Sequence, residues 1–411
     1  MIYISILAGI SGFLFLIILF YYLNITINTG YLIAFFLFFD IYAFILSKII
    51  TFVTPLIFLV LISIFVIIIS FLTNYNKFIE ALKRKEITLW ILFTIYLFLS
   101  LLWTPNHHYG LFKFQIYLIK GFLPGLAIYF SFYVYRKMSW APAIVSGLLY
   151  ILVFFFLKQD SAYFTHRMTI KGSNPIWISR ATLLYVSIIL IAFETKLIYK
   201  TLLAIPGLIA AFLAQSKGPF IGLFAGFLGY YYFQYRKENQ TVNKWLFFLK
   251  IMLSMLTIIL FFNLLIESFD VLKNSRFAVL FSIRKLFSEP TFLERVVRFT
   301  KAINIFIHNL FFGVGIGGFS PVDQRNYPHN IVLEIGSELG VFGLTIWSVL
   351  IYKVYQLSKL NKIFLILFLQ TLTYAMFSGD LGFNNEYVLI SFMILSMSSI
   401  YSSNNKELST I

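Results

Sequence analysis

A histidine, two glutamates and a few lysines and arginines stand out in a chain that carries little charge. His329 follows Tyr327-Pro328 and directly precedes Asn330, where an apolar run begins. A group at the start of a helix meets its positive end and its free backbone N–H donors, a setting that favours an anion. A neutral imidazole there can take a proton from a hydroxyl, and a protonated one can hold phosphate. A histidine that only reaches for the interface is the plainer alternative. Glu334 and Glu338 stand five and nine residues further on. At ~1.5 Å of rise per residue they lie roughly 7 and 13 Å down the helix, four apart on one face. Carboxylates at such depth are costly, so both are expected to face basic partners or a wet cavity and not lipid. A structural ion pair satisfies that expectation as well as a substrate site does.

The cations come in short stretches. Lys217 sits in Gln215-Ser216-Lys217-Gly218-Pro219, a tight turn between two apolar runs, and Arg180 follows Asn174-Pro175 at the start of another. Arg295 and Arg298 belong to residues 292–310, whose apolar positions Val296, Val297, Phe299, Ile303, Phe306, Ile307 and Leu310 have helical spacing. Such a helix suits the surface of a membrane. Each cation taken alone fits a snorkelling side chain. Jointly, Arg180, Lys217, Arg295 and His329 compose a basic crown suited to a diphosphate, since arginine offers a planar fork and lysine a point charge. The glycine turn at 313–318, GVGIGG, follows no strand and lacks the Gly-Lys-Ser/Thr ending of a phosphate loop, which argues against nucleotide binding there. With no cysteine and five histidines, the sequence implies no metal site and no cofactor.

These residues need a scaffold, and composition names its class. Of 411 residues, 60% are hydrophobic and 12% charged, with a mean hydropathy of +0.88. A soluble globular chain carries about a quarter charged residues. The apolar runs approach the ~20 residues that cross a bilayer as helix. The fold expected is therefore an all-α polytopic transmembrane bundle of about 12–13 spans. The runs lie at 2–23, 31–47, 53–73, 87–103, 114–134, 140–157, 179–193, 200–215, 218–234, 245–266, 330–352, 362–378 and 387–401. Three regions follow: an N-terminal bundle at 1–266, a large loop at 267–329 with amphipathic helix, and C-terminal helices at 330–411. The first run has neither preceding basic residues nor a small-residue cleavage site, which reads as a retained helix.

The net charge of +16 would suggest nucleic acid in a soluble chain, but in a membrane protein it is a question of sides. Loops holding Lys83, Arg84 and Lys85, then Arg136 and Lys137, then Lys196 and Lys200, then Arg236 and Lys237, and later Lys353 and Lys359 fall on one side. That side is expected to be cytoplasmic. His329, Lys217, Arg180 and the large loop then face outward. The loop's own basic residues do not upset this reading, because long loops translocate largely regardless of charge.

Four stretches resemble the bacterial O-antigen ligase and O-antigen polymerase family of membrane glycan transferases. QSKGPFIGL at 215–223 is similar to the family's outer turn, usually Ser-Arg-Gly followed by a small or apolar residue. ERVVRFTKAINIFIHNLFFGVGIGGF at 294–319 resembles its arginine-led amphipathic helix and Gly-Val-Gly turn. YPHNIVLEIGSELGVFGL at 327–344 resembles its His-Asn start of a glutamate- and glycine-bearing helix, and residues 100–113 are similar to a commoner N-terminal element. The resemblance implies a metal-independent glycosyltransferase in the bacterial inner membrane, acting on its periplasmic side in lipopolysaccharide or other envelope polysaccharide biosynthesis. Its donor would be a glycan on undecaprenyl diphosphate, and its acceptor a glycolipid or another glycan. His329 matches the family's general base and Arg295 its loop arginine. Lys217 stands where the family has arginine, which keeps the charge and loses the fork. Arg180, Arg298, Asn330, Glu334 and Glu338 complete the expected substrate contacts. Ligase, polymerase and protein glycan transferase differ only in acceptor. A lipid-linked glycan transporter is the non-enzyme alternative, and it would favour internal repeats, of which the sequence has none evident.

Overall fold

The computed structural model describes residues 26–49, 54–160, 167–170, 173–238, 290–322, 324 and 326–408. The expected runs at 2–23 and 245–266, the loop up to residue 289, and Arg325 lie outside the described residues. The chain is a membrane protein built from helices. Among the described residues, five helices are long and apolar enough to cross a bilayer: Leu56–Thr73, Lys85–Leu102, His107–Tyr135, Pro175–Ala192 and Ile331–Ser358. Shorter apolar helices span Ala141–Leu157, Leu197–Leu213, Lys362–Phe377 and Asn385–Met397. Among the described residues, strand is confined to a small antiparallel hairpin, Lys158–Asp160 paired with Met168–Ile170.

In chain order the site depends on α1 (Thr29–Leu37), α2 (Phe39–Ile49), α3 (His107–Ile116), α4 (Pro175–Ala192), α5 (Lys217–Glu238), α6 (Pro290–His308), α7 (Ile331–Ser358), α8 (Lys362–Phe377) and α9 (Asn385–Leu408). Asparagine starts several of them. Asn106, Asn174, Asn330 and Asn361 each accept a hydrogen bond from a first-turn N–H through the side chain, satisfying donors that the helix itself leaves free. α5 lies closely on α8, because Gly222 and Gly226 present bare backbone. A Cβ on them would stand 2.4 Å from the Tyr374 ring and 2.7 Å from the Ile366 carbonyl oxygen. Small residues at four-residue spacing are the usual means of close helix approach within lipid.

Two expected spans are not simple rods. The run at 31–47 is the pair α1 and α2, bent by 76°. The bend puts Asp40 in the first turn of α2, at the positive end of a helix and 3.9 Å from the Lys120 ammonium. In an unbroken helix the carboxylate would stand mid-span, where it is costly. The second departure is in α7. Gly340 has φ +66° and ψ −165°, a conformation essentially reserved for glycine, and the helix is broken there.

The glycine turn repairs that break. Ser337 O accepts from Val314 N at 3.1 Å and Glu338 O from Gly315 N at 2.8 Å, while Val341 N and Phe342 N donate to Leu310 O and Phe311 O at 2.7 and 3.3 Å. The two carbonyls and two N–H groups released by the kink thus all find backbone partners in residues 310–315. Irregular backbone within a membrane domain requires such internal partners. Gly340 therefore admits an irregular loop, and Gly336, four residues earlier, faces Phe306 of α6. Alanine at Gly340 should be severe, because it combines a forbidden backbone conformation with a Cβ 2.3 Å from Phe311 O. A loss of roughly 2–4 kcal/mol is expected from backbone strain and overpacking, against a small change for Gly336→Ala, whose Cβ would stand 3.5 Å from Phe306. Thermal unfolding of both variants in detergent or nanodiscs checks the contrast.

Candidate active site

His329 is fixed from both sides along the chain. Pro328 precedes it, and Asn330 caps α7 by accepting from Val332 N and Leu333 N, while its side-chain amide donates to Met376 O at 3.3 Å near the end of α8. Between them His329 takes φ +63°, the left-handed region that few non-glycine residues adopt. The turn aims the imidazole at α6. Arg298 Nη1 lies 3.3 Å from His329 Nε2 and donates to Tyr327 O at 3.1 Å, while Nη2 donates to Glu294 one turn earlier. A guanidinium only donates, so Nε2 accepts and the neutral ring carries its proton on Nδ1. Nδ1 is buried and has no hydrogen-bond partner among the described residues. Tyr327 packs on the imidazole with ring centres 4.3 Å apart.

The electrostatics of this corner are those of a cation-rich, half-buried site. Burial first, then the Arg295 and Arg298 guanidinium groups, push His329 down from 6.5 to about 3, so the imidazole is neutral across the physiological range. Tyr327 moves the other way, pushed up to about 12 by burial and then by the Asp380 and Glu334 carboxylates, with Arg180 and Arg298 opposing. Tyr327 therefore stands where the fields of α4, α6, α7 and the turn after α8 meet.

The other expected site residues take different positions around this corner. Glu334 and Glu338 do face a basic partner. The Lys113 ammonium of α3 donates to Glu334 at 2.6 Å and to both Glu338 oxygens at 2.8 and 2.9 Å, with all three side chains at most 2% exposed. Glu334 Oε1 also accepts from Leu381 N at 3.0 Å, and its Oε2 is buried without a partner among the described residues. Arg180 is fully buried. Its Nη2 donates to Tyr374 O, Ser378 O and Asn384 Oδ1 at 2.8–3.0 Å, and Nη1 pairs with Glu386 at 3.3 Å. A cation among carbonyls at the end of α8 is also favoured by the helix dipole. Lys217 opens α5 half-buried, and the following Gly218 lies against Phe377 at the same end of α8. The chain thus brings Arg295, Arg298, Asn330 and His329 to one corner, sets the Lys217 turn beside the end of α8, and holds Arg180, Glu334 and Glu338 in the protein beneath.

Three contributors escaped the sequence reading. Lys113, more than 200 residues from its glutamates, has no local signal beyond being a lysine in an apolar run. Asp380 and Tyr109 are joined by a 2.6 Å hydrogen bond, with Asp380 Oδ1 accepting from Phe383 N at 2.9 Å. Lys113 lies over the Tyr109 ring at 5.1 Å, which extends the glutamate cluster to Asp380. Balancing charges inside an apolar bundle was the available clue, because two buried glutamates demand a cation from elsewhere.

The chain is a multi-pass helical membrane protein with a histidine among arginines at a helix start, and comparison with known proteins shows what that part of it is similar to. Residues 202–348 match a family model described as O-antigen ligase. No curated protein matches the chain. The matched segment, about a third of the chain, contains Lys217, Arg295, Arg298, His329, Asn330, Glu334, Glu338 and the glycine turn, so the resemblance read from those residues is borne out. Over that segment the chain is similar to O-antigen ligases, which are glycosyltransferase-type enzymes.

Two measurements test the site's construction. Lys113→Met should lose roughly 3–5 kcal/mol by stranding two buried carboxylates, and adding Glu334→Gln and Glu338→Gln should restore much of it; chemical unfolding of the single and triple variants gives both values. For His329, the unfolded chain takes up a proton near 6.5 and the folded site only near 3. Its penalty is absent above 6.5, grows as pH falls through that window, and is complete below about 3. Melting temperature should therefore drop more steeply between pH 6.5 and 4 in the native protein than in His329→Gln.

Proposed function

We propose that the protein transfers a glycan from undecaprenyl diphosphate to a sugar hydroxyl of an acceptor glycolipid at the outer face of the bacterial inner membrane, in the manner of an O-antigen ligase. The observation that carries the reading is His329, held neutral and hydrogen-bonded to Arg298 at the start of α7. In this reaction the acceptor hydroxyl oxygen forms a bond to the anomeric carbon as the bond from that carbon to the diphosphate oxygen breaks. The hydroxyl proton goes to the imidazole, and the electron pair leaves with the diphosphate.

The arginines have two tasks in this scheme. Arg295 and Arg298 neutralise the diphosphate as it departs, with Lys217 adding a point charge from the α5 turn. The same cations keep free His329 a poor base. A bound dianion offsets their field, raises the imidazole's proton affinity, and draws Arg298 away from the Nε2 lone pair that must receive the proton. Donor binding thereby creates the base that the acceptor needs. Glu334, Glu338 and Arg180 support the corner from below.

The test is reconstitution in nanodiscs with undecaprenyl-diphosphate-linked glycan, supplied with lipid A core or with no second acceptor. Glycan on lipid A core is the expected product. Lengthening of the lipid-linked glycan alone would make the protein a polymerase, and donor binding without product would point to a transporter. Loss of the base should lower kcat by roughly 100-fold or more in His329→Ala. Native turnover by that variant would remove the histidine from the mechanism.

A further inference from the structure

An aromatic strip runs from Trp177 to Tyr109 and shares a cavity with Tyr327, the neighbour of His329. Trp177, in the first turn of α4, stacks on Phe383 from the turn between α8 and α9, with ring centres 5.3 Å apart and planes at 25°. Phe383 meets Phe112 at 6.1 Å, and Phe112 stacks on Tyr109 at 6.5 Å. Three cavities of about 40, 250 and 160 Å³ adjoin this strip. Trp177 lines all three, and Phe383 lines two. One of them also reaches Tyr327, the residue packed on His329. Another is bounded by Asp40 at the α1–α2 bend. The cavities therefore follow one another around the indole, from the reacting corner to the bent helix pair.

Their polar lining has a definite character. Asn174 and Asp380 stand in the cavity beside Tyr327, and Asp40, Asn385 and Glu386 in the next. Lys120 belongs to a π-helical segment, Tyr117–Phe122, directly after α3. Its ammonium lies 5.6 Å over Trp177 and 5.9 Å over Phe383, with Asp40 at 3.9 Å. π-helical turns within α-helices occur often at functional sites. Asp40 pairs with Lys120 and Glu386 with Arg180, so the lining offers near-balanced charge among aromatic rings, which suits neither a run of phosphates nor a lipid tail. What remains is a neutral ligand with one apolar face and several hydroxyls. A pyranose ring has that chemistry: its C–H face lies on an aromatic ring, while carboxylates and amides take its hydroxyls.

We propose that the groove along Trp177 and Phe383 is a glycan-binding cleft, which seats sugar rings one or more places away from the reacting one. This inference rests on the glycan-transfer reading above. The rings can belong to the donor glycan or to the acceptor, since both present the same chemistry at the reaction corner. The cleft would set a preference for extended chains, and the stack would orient them toward His329.

The experiment uses the full protein in nanodiscs, with native, Trp177→Ala, Trp177→Phe and Phe383→Leu chains whose melting temperatures establish folding. KM and kcat are measured with single-sugar and multi-sugar donors on undecaprenyl diphosphate, and separately with full and truncated acceptor cores. Trp177→Ala should raise KM for the extended substrate roughly tenfold more than for its short counterpart, as loss of one aromatic contact predicts. Trp177→Phe should recover most of that preference. The substrate whose KM moves identifies which glycan occupies the cleft. Equal changes on short and extended substrates, or a change in kcat alone, would overturn the cleft and leave the rings a packing role. Free oligosaccharide released from the donor is titrated as well, with saturation-transfer NMR as the readout. Binding by the native chain and not by Trp177→Ala upholds the cleft even if no transfer occurs, a result that would count against the catalytic reading alone. Transfer without any such discrimination between the chains would sink the cleft and leave the catalytic reading intact.

Discussion

A single buried ammonium organises the centre of this protein. Lys113 holds Glu334 and Glu338 on one face of α7 at 2.6–2.9 Å, and all three side chains are out of contact with solvent. Charges withdrawn from water in this way repay their desolvation only in close, well-directed geometry, so the cluster tolerates little displacement. It locks α3 to α7, and through the hydrogen bond from Leu381 N to Glu334 it also fixes the turn between α8 and α9. His329 begins the same helix less than two turns from Glu334. The position of the imidazole is therefore set from below by an interaction that involves no substrate.

The same helix is deliberately incomplete. At Gly340 it gives up its own hydrogen bonds and takes them from residues 310–315, which brings the amphipathic helix α6 down onto α7. Arg298 rides on α6 and His329 on the start of α7, so the backbone repair is what brings arginine and histidine within hydrogen-bond reach. The glycines of the turn serve this docking. Val314 N and Gly315 N point at helix carbonyls, which leaves them committed to the fold and not to a phosphate.

Around the histidine, placement and proton affinity are coupled. Cations that suit a diphosphate necessarily depress a neighbouring imidazole, and partial burial adds to the effect. An imidazole with so low an affinity gains a proton readily only when a negative ligand offsets the neighbouring guanidinium groups. Arg180, by contrast, shows how a cation near such a site is taken up by structure: its terminal nitrogens cap α8 and pair with Glu386.

The sequence by itself determined the membrane class, nearly all the described helices, and the local cluster from Arg295 to Glu338. Those features follow from apolar run length, helical spacing and neighbouring residues, all of which are short-range. Even the inward aim of Glu334 and Glu338 was legible, because a carboxylate at depth must find a partner. Which cation answers was not legible. Lys113, Asp380 and the aromatic strip of Trp177 and Phe383 come from turns and helices far apart in the chain, and only packing brings them together. The bend at Asp40 and the break at Gly340 escaped for a related reason. Hydropathy measures the cost of leaving water, while a kink depends on whether distant backbone can take up the hydrogen bonds it releases, and that is decided only when the chain has folded.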